Sequence, residues 1–394
     1  MSTHLNPDFS PQDTHLPPAG FETAGVAETA EEERYFLASS WTLMRRRFLK
    51  HKLAVAGTVI LLVIYGLAAF AGFFAVADTF ERNTDYEFTP PTRVRIFHDG
   101  GLQRPFVYGL IQEINPETLA KTYEIDRTQV FPIRFFVQGH EYRFLGLFPS
   151  RLHLMGVDEP GAFFPLGTDR LGRDMYSRVL QGARVSLSIG LVGVAISFVL
   201  GCLLGGASGF FGGTVDMIVQ RIIEFLQSLP SIPLWMALAA AVPTEWPVLR
   251  TYFMITLILS IVGWTELARV VRGKILQLRV EDFVMAAGIA GAKEFTIILR
   301  HLLPGFMSYL IVHLTLAIPY MILGETTLSF LGIGLRPPVI SWGVMLQQAQ
   351  NIRTVALNEW LLLPALFVVF TVLCFNVVGD GLRDVADPYA TRHM

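Results

Sequence analysis

Apolar residues in this chain gather into long blocks separated by polar segments, instead of recurring at the spacing of a soluble core. A bilayer core of about 30 Å needs roughly 20 apolar residues in a helix, because backbone amides left unpaired in hydrocarbon are strongly unfavourable. The blocks therefore predict an all-α polytopic membrane protein, with Pro364 bending the last helix near its start. The six predicted transmembrane helices are residues 53–77, 185–211, 217–242, 252–268, 305–335 and 360–379.

The composition agrees with a membrane protein. Of the 394 residues, 52% are hydrophobic and 16% are charged, against about 25% charged in an average soluble protein. The net charge of -2 excludes a globally basic nucleic-acid binder. Cys202 and Cys374 lie inside apolar blocks, so we expect no disulfide and no cysteine metal site. The histidines show no metal-binding spacing, and we expect no cofactor.

Charges near the spans predict their orientation. Residues 1–52 read as a polar, acidic, disordered tail followed by a basic segment, and not as a cleavable signal peptide. Basic residues near a span end tend to stay in the cytoplasm, so six spans place both termini there, together with the basic loop 271–304. One apolar face of the basic segment either lies along the membrane interface or belongs to a plain solvated tail. It comprises Leu37, Trp41, Met44 and Phe48.

A polar insert, residues 78–184, separates the first span from the core of five spans in residues 185–394, and its predicted side is extracytoplasmic. Two segments, 93–97 and 106–110, flank Asp99-Gly100-Gly101, and two more, 130–137 and 142–148, flank Gly139-His140. Short apolar runs around glycine turns predict hairpins. We therefore expect a small β-rich domain.

The loop 271–304 contains the run VEDFVMAAGIAGAKEFTIILRHLLPG. Acidic residues Glu281 and Asp282 favour a helix start there, and Gly291 favours its end. Phe283, Ala286, Ala287 and Ala290 would share one face of this short helix. Such a small, alanine-rich helix suits docking into a groove of another protein, although an ordinary surface loop is the alternative.

This run resembles the signature loop of ATP-binding-cassette (ABC) importer permeases, a Glu-Ala-Ala triplet followed by Gly and later by Leu-Pro. Met285 stands where that family commonly has Glu. Three further stretches are similar to the dipeptide, oligopeptide and nickel branch of the family: MRRRFLKHKLAVAGTVIL before the first span, residues 164–187 with Gly-Thr-Asp and Gly-Arg-Asp, and GETTLSFLGIG in residues 324–334.

The resemblance implies a six-helix (MetI-like) permease subunit in a bacterial inner membrane, which forms the translocation path for short peptides or oligosaccharides. It implies as partners a second permease, two cytoplasmic ATPase subunits and an external binding protein. The chain has no G-x-x-x-x-G-K-[ST] phosphate loop, so it is not expected to be an enzyme. The implied ATPase-coupling residues are Asp282, Met285, Ala286, Ala287, Gly291, Leu303 and Pro304.

Other polar and glycine positions allow two interpretations each. Glu266, Glu325 and Thr326 are candidates for the translocation path, or they serve structure. Asp169, Arg173 and Asp174 form either a loop held by ion pairs or a docking edge for the binding protein. Arg221 and Glu224 are expected to pair with each other. A stripe of glycines favours close helix packing over a lining of the path, and it consists of Gly201, Gly205, Gly209 and Gly213.

Two rival functions come from other classes. A secondary transporter driven by an ion gradient would need acidic residues at mid-membrane and inverted repeats. A membrane-anchored receptor would leave the short cytoplasmic helix without a role. The importer interpretation alone requires a bound ATPase partner.

Overall fold

The computed structural model describes residues 40–98, 101–114, 116, 121–144 and 146–386. The predicted disordered tail, Leu37 of the predicted apolar face and the Asp99-Gly100 turn lie outside the described residues. Helix α1 (Ser40–Lys50) belongs to a separate unit that ends at Lys50. Every other described element belongs to a second unit that starts at His51.

Among the described residues, five helical segments are long and apolar enough to cross a membrane, and one bent pair of helices supplies a sixth crossing if it counts as a single span. Each segment overlaps a predicted block, although the first helix ends at Ala69 and not at residue 77. In chain order the helices are α2 (Lys52–Ala69), α3 (Ala71–Phe74), α4 (Met175–Phe211), α5 (Gly213–Ser228), α6 (Ser231–Ala240), α7 (Val248–Leu278), α8 (Asp282–Ile289), α9 (Glu294–Thr296), α10 (Met307–Phe330), α11 (Trp342–Gln347), α12 (Ile352–Leu357) and α13 (Leu363–Ala386).

The predicted third span is not continuous. Its two halves, α5 and α6, meet at an angle of 90°. Pro230 lies in the break, and Leu229 before it has the extended conformation that a following proline favours. Because proline also removes a backbone donor, the helix stops there and restarts at Ser231.

Several helices extend beyond their predicted ends. Helix α4 begins at Met175 instead of residue 185, and α7 continues to Leu278 instead of ending at residue 268, with Val271 and Ile275 buried in its last turns. Pro364 lies in the first turn of α13, directly after a 3-10 turn (Glu359–Leu362), so it stands near the start of the last span as predicted, and the bend itself stays a prediction. A proline in the first turn removes no helical hydrogen bond.

The glycine stripe brings α4 and α7 into close contact. A Cβ on Gly201 would lie 2.9 Å from Leu267, one on Gly205 would overlap the backbone of Ala268, and one on Gly209 would lie 2.8 Å from the Arg272 carbonyl oxygen. The packing interpretation is confirmed for these three. Gly213 lies outside the contact and opens α5 with a φ of +55°.

The insert between the first two spans contains two antiparallel sheets. Strands β1 (Arg95–His98), β2 (Gly101–Ile114) and β3 (Lys121–Pro132) form one, and strands β4 (Arg134–Phe144) and β5 (Phe148–Gly156) form the other. The predicted fold class, a helical membrane protein with a small sheet insert between its first and second spans, is confirmed.

The two predicted hairpins differ in outcome. Pairing of β1 with β2 confirms the first. The second is wrong, because Gly139 and His140 lie inside β4 at a shift of register, and the turn follows Phe144 instead. A glycine within a strand often marks such an irregularity and not a turn.

Candidate functional site

Helix α8 presents an exposed apolar surface. Ile289 is 90% exposed, Met285 51% and Phe283 47%, and Ala286 and Ala290 are exposed beside them. The helix starts after Glu281, as predicted, and Gly291 ends it with a φ of +79°. An exposed apolar patch of this kind usually marks a contact with another molecule.

The opposite side of α8 is fastened to the membrane helices. Val284 is buried in one cluster with Ile275 from the end of α7 and with Ile298 and Leu302 from the segment before α10. Leu303 is buried in the same cluster, whereas Pro304 is exposed. Any displacement of α8 therefore acts directly on two spans, since these contacts are tightly packed apolar ones.

The segment that leads from α8 into α10 is irregular. It passes through α9, a π-helical turn (Ile297–Leu302) and a 3-10 turn (Leu303–Phe306). Pro304 stands in the first turn of the latter, where its missing amide hydrogen breaks no helical bond. π-helical turns are frequent at functional sites.

An ion pair that the sequence did not reveal holds three helix ends together near α8. Arg272 of α7 donates from Nε to Asp216 Oδ1 of α5 at 2.5 Å and from Nη2 to Oδ2 at 2.6 Å. Ser208 of α4 donates to the same carboxylate at 2.6 Å. Arg279 adds a bond to the carbonyl oxygen of Gly209 at 3.2 Å. No local signal could have found partners 56 residues apart.

A cavity of about 860 Å³ lies between α4, α7, α10, α13 and the bend that joins α5 to α6. Glu266 of α7 is exposed on its wall, and the stacked rings of Tyr309 and His313 from α10 lie nearby with centroids 6.3 Å apart. At the bend, Tyr320 donates a hydrogen bond to Ser231 at 3.0 Å. A carboxylate among spans is costly unless it serves a path or a partner.

The other two candidates for the path lie away from the cavity. Glu325 is 0% exposed and accepts hydrogen bonds from Ser186 at 2.9 Å, Ser329 at 2.8 Å and Ser341 at 2.7 Å. Thr326 is buried next to it. These bonds connect α4, α10 and the start of α11, so the geometry at Glu325 is that of a structural brace.

Asp169, in the loop before α4, is buried and pairs with arginines. Asp169 accepts from Arg173 Nη2 at 2.6 Å and from the Leu171 amide at 2.8 Å, and Arg178 Nε lies 3.7 Å from it. Burial alone would raise the pKa of Asp169, but the bonds from Arg173 and the charge of Arg178 outweigh it and hold that pKa below its usual value.

Asp174 has the opposite setting. It caps α4 by accepting from the Ser177 amide at 2.7 Å, while its other oxygen has no hydrogen-bond partner among the described residues. Burial raises the pKa of Asp174 to about 6.

The predicted pair of Arg221 and Glu224 is also present, at 2.8 Å.

Comparison with known proteins identifies the family. The family described as binding-protein-dependent transport system inner membrane component matches residues 197–392, and the N-terminal transmembrane domain of oligopeptide transport permease C matches residues 39–91. The dipeptide transport system permease protein DppC of Bacillus subtilis is 41% identical over 235 residues, which cover 59% of this chain and 71% of the relative. This chain belongs to that family of inner-membrane permeases.

Two further comparisons complete the picture. The oligopeptide transport system permease protein OppC of Escherichia coli K12 is 39% identical over 231 residues, which cover 58% of this chain and 73% of the relative. A solved chain of the methionine ABC transporter MetNI, in an inward-facing conformation, aligns with 54% of this chain and 97% of its own at 19% identity, with a TM-score of 0.41.

The two matched ranges cover membrane helices and leave out the sheets of the insert. The larger one contains α8, the cavity and the last spans, and the smaller one contains the first span. All five strands of the insert lie between them. The predicted resemblance to ABC importer permeases of the peptide branch is confirmed, and the rival interpretations as a secondary transporter or a receptor are not favoured.

Proposed function

We propose that this permease is one of two permease subunits of an ATP-driven importer of short peptides. Its relatives are named for dipeptide and oligopeptide transport, which favours peptides over oligosaccharides as cargo. An external binding protein would deliver the substrate, and two ATPase subunits would bind on the cytoplasmic side. Both termini then lie in the cytoplasm of a bacterium, as the basic residues before α2 favour.

The exposed apolar face of α8 carries the proposal. Met285, Ala286 and Ile289 face away from the membrane core, while Val284 fastens the helix to α7 and α10. An ATPase groove that receives this face would transmit nucleotide-driven closure to both spans as a rigid-body displacement. Asp282 and Gly291 set the two ends of the docking helix, and Leu303 and Pro304 join it to α10.

Glu266 is the residue that we propose as part of the translocation path. It lies on the wall of the cavity, whereas Glu325 and Thr326 are buried elsewhere, and Glu325 holds helices together through its bonds to three serines. A carboxylate on the path offers a partner for the ammonium group of a peptide.

We further propose that the loop before α4 forms a docking edge for the binding protein. The buried bonds of Asp169, Arg173 and Asp174 fix the shape of this loop, and Arg170 between them is exposed. The ion pairs thus act indirectly, by positioning the loop, and the exposed side chains make the contact.

Two substitutions in adjacent positions of α8 test the coupling. Ala286→Glu places a charge on the docking face, and we expect ATPase binding to fall about tenfold or more, since 1.4 kcal/mol already corresponds to tenfold. Met285→Glu restores the glutamate common in the family and should leave binding intact. The measurement is the amount of ATPase that co-purifies with the two permeases from a membrane extract.

The unfolding temperature of both variants should equal that of the unaltered protein, because both positions are exposed. Equal ATPase binding by all three proteins would exclude α8 as the coupling element. Peptide uptake by vesicles that contain the permeases without any ATPase would contradict the ATP-driven mechanism.

A further inference from the structure

The hairpin formed by β4 and β5 runs alongside the end of the first membrane helix. The ring of Phe136 lies 6.4 Å from that of Phe73, and the ring of Phe144, eight residues further along β4, lies 5.3 Å from that of Phe70. Between them Tyr142 packs so closely on Gly72 that a Cβ there would overlap it. Successive positions of β4 therefore contact successively earlier residues of the helix, and the hairpin points back toward the middle of the span.

Two helices independently give the depth of the hairpin tip. Helix α2 has 18 residues, or about 27 Å at a rise of 1.5 Å, so Phe70 lies near the edge of a bilayer core of about 30 Å. On the other side, a Cβ on Gly146 in the turn would lie 3.3 Å from Nη2 of Arg184. Arg184 lies in α4 directly before residue 185, where the apolar block of that helix begins. The tip thus lies level with the edge of the apolar membrane segment.

The side chains at this depth are apolar and exposed. At the tip, Leu147 is 72% exposed and Phe148 67%. Arg143 is exposed beside them on β4. Aromatic rings with a neighbouring cation are typical of the boundary between headgroups and acyl chains, where a ring packs on lipid and an arginine meets phosphate.

We propose that the tip of this hairpin, with Arg143, Leu147 and Phe148, inserts into the leaflet of the bilayer that surrounds the Phe70 end of α2. The occupant is phospholipid because the exposed face continues directly from a span that lipid must surround, at the same depth. Its chemistry is acyl chain against Leu147 and Phe148, and headgroup phosphate against Arg143. The insert would then be held at the membrane from two sides, by its covalent connections and by this contact.

Spin-label accessibility tests the insertion. Leu147→Cys is labelled with a nitroxide in a background of Cys202→Ala and Cys374→Ala, and the permease is placed in nanodiscs of phosphatidylethanolamine and phosphatidylglycerol. Leu62→Cys, at a side chain 68% exposed within α2, is the reference for lipid. Arg170→Cys, in the exposed loop before α4, is the reference for water. The measurement compares collisions with apolar oxygen and with a water-soluble nickel chelate.

We expect the oxygen-to-nickel accessibility ratio at position 147 to exceed that at position 170 several-fold and to lie below that at position 62, which is near the middle of α2. A ratio equal to that at position 170 would show that the tip is in water and would overturn the proposal. Low accessibility to both reagents would show that another protein covers the tip, and it would overturn the proposal equally. The measurement needs neither ATPase nor peptide, so it is independent of the proposed function.

Discussion

Two aspartates five residues apart before α4 experience opposite electrostatic settings. Asp169 is stabilised in its ionised form by Arg173, whereas Asp174 is buried with one oxygen that no described residue pairs. The sequence offers the same residue type in the same loop and cannot distinguish them, because burial and partner geometry decide the sign of a pKa shift.

We expect Asp174→Asn to stabilise the protein at pH 8. The pKa of about 6 lies above the unfolded value near 3.9, so the native state binds more protons between these values, and its stability falls as the pH rises through that window. Asparagine keeps the helix cap and carries no charge. The gain is about 3 kcal/mol at pH 8, because each pKa unit corresponds to about 1.4 kcal/mol, and it shrinks toward pH 4.

The measurement is the unfolding temperature in detergent at pH 5 and pH 8. Asp169→Asn is the matched control: its pKa is lowered, so it is ionised at both pH values, and breaking its buried pair should cost about 3 kcal/mol or more at each. A lower unfolding temperature of Asp174→Asn at pH 8 would show that the ionised Asp174 stabilises the native state, and it would refute the raised pKa.

Substitutions of Glu266 and Glu325 should have different effects, one on transport and the other on stability. We expect Glu266→Ala to reduce peptide uptake about tenfold while leaving the unfolding temperature unchanged, since its side chain faces the cavity. Glu325→Ala removes the acceptor of three serine hydroxyls and should destabilise the protein by roughly 2 kcal/mol or more. The measurements are peptide uptake and the unfolding temperature of both variants. A destabilised Glu266→Ala, or a Glu325→Ala that unfolds at the normal temperature, would contradict the assigned roles.

At the scale of single elements, the sequence predicted membrane helices and α8 well, because apolar blocks and capping residues are local signals. It missed the early start of α4, whose first turns hold polar residues that only tertiary contacts bury, such as Arg178 at 2% exposure. It also misplaced the second turn of the insert, since a glycine within a strand and a glycine in a turn look alike before the pairing partner is known.

The contact between α4 and α7 leads to a test of the glycine stripe. Gly205→Val should lower the unfolding temperature, because the new side chain would overlap the backbone of Ala268 and overpacking costs about 1–3 kcal/mol. Gly66→Val is the matched control, since a Cβ on Gly66 of α2 would meet nothing within 4 Å. Similar unfolding temperatures for both variants would argue against close packing at Gly205.

At the scale of the whole molecule, four different motifs in a consistent order along the chain sufficed to predict the family. Contacts between residues distant in sequence could not be predicted. Examples are the ion pair of Asp216 with Arg272 and the hydrogen bonds from three serines to Glu325. Such contacts depend on which spans pack against each other. The pattern of hydrophobic residues along the chain does not determine that packing.

The proposed orientation of the molecule is open to chemical labelling. With Cys202 and Cys374 buried, a membrane-impermeant maleimide should react with Arg127→Cys of β3 in intact spheroplasts. Gln277→Cys, exposed near the end of α7, should react only after permeabilisation. The reverse pattern would place α8 outside the cell and would refute coupling to a cytoplasmic ATPase.

Helix α7 runs without a proline through 31 residues, about 46 Å, from Val248 past Glu266 to the residues that join α8. If the helix tilts as a rigid rod, the displacement of each residue is proportional to its distance from the pivot. A tilt of about 10° around its Val248 end swings Leu278 through about 8 Å and Glu266 through about 5 Å, given a rise of 1.5 Å per residue. Under the proposed coupling, a displacement at the Leu278 end of α7 thus moves the cavity wall at Glu266 by more than half as much.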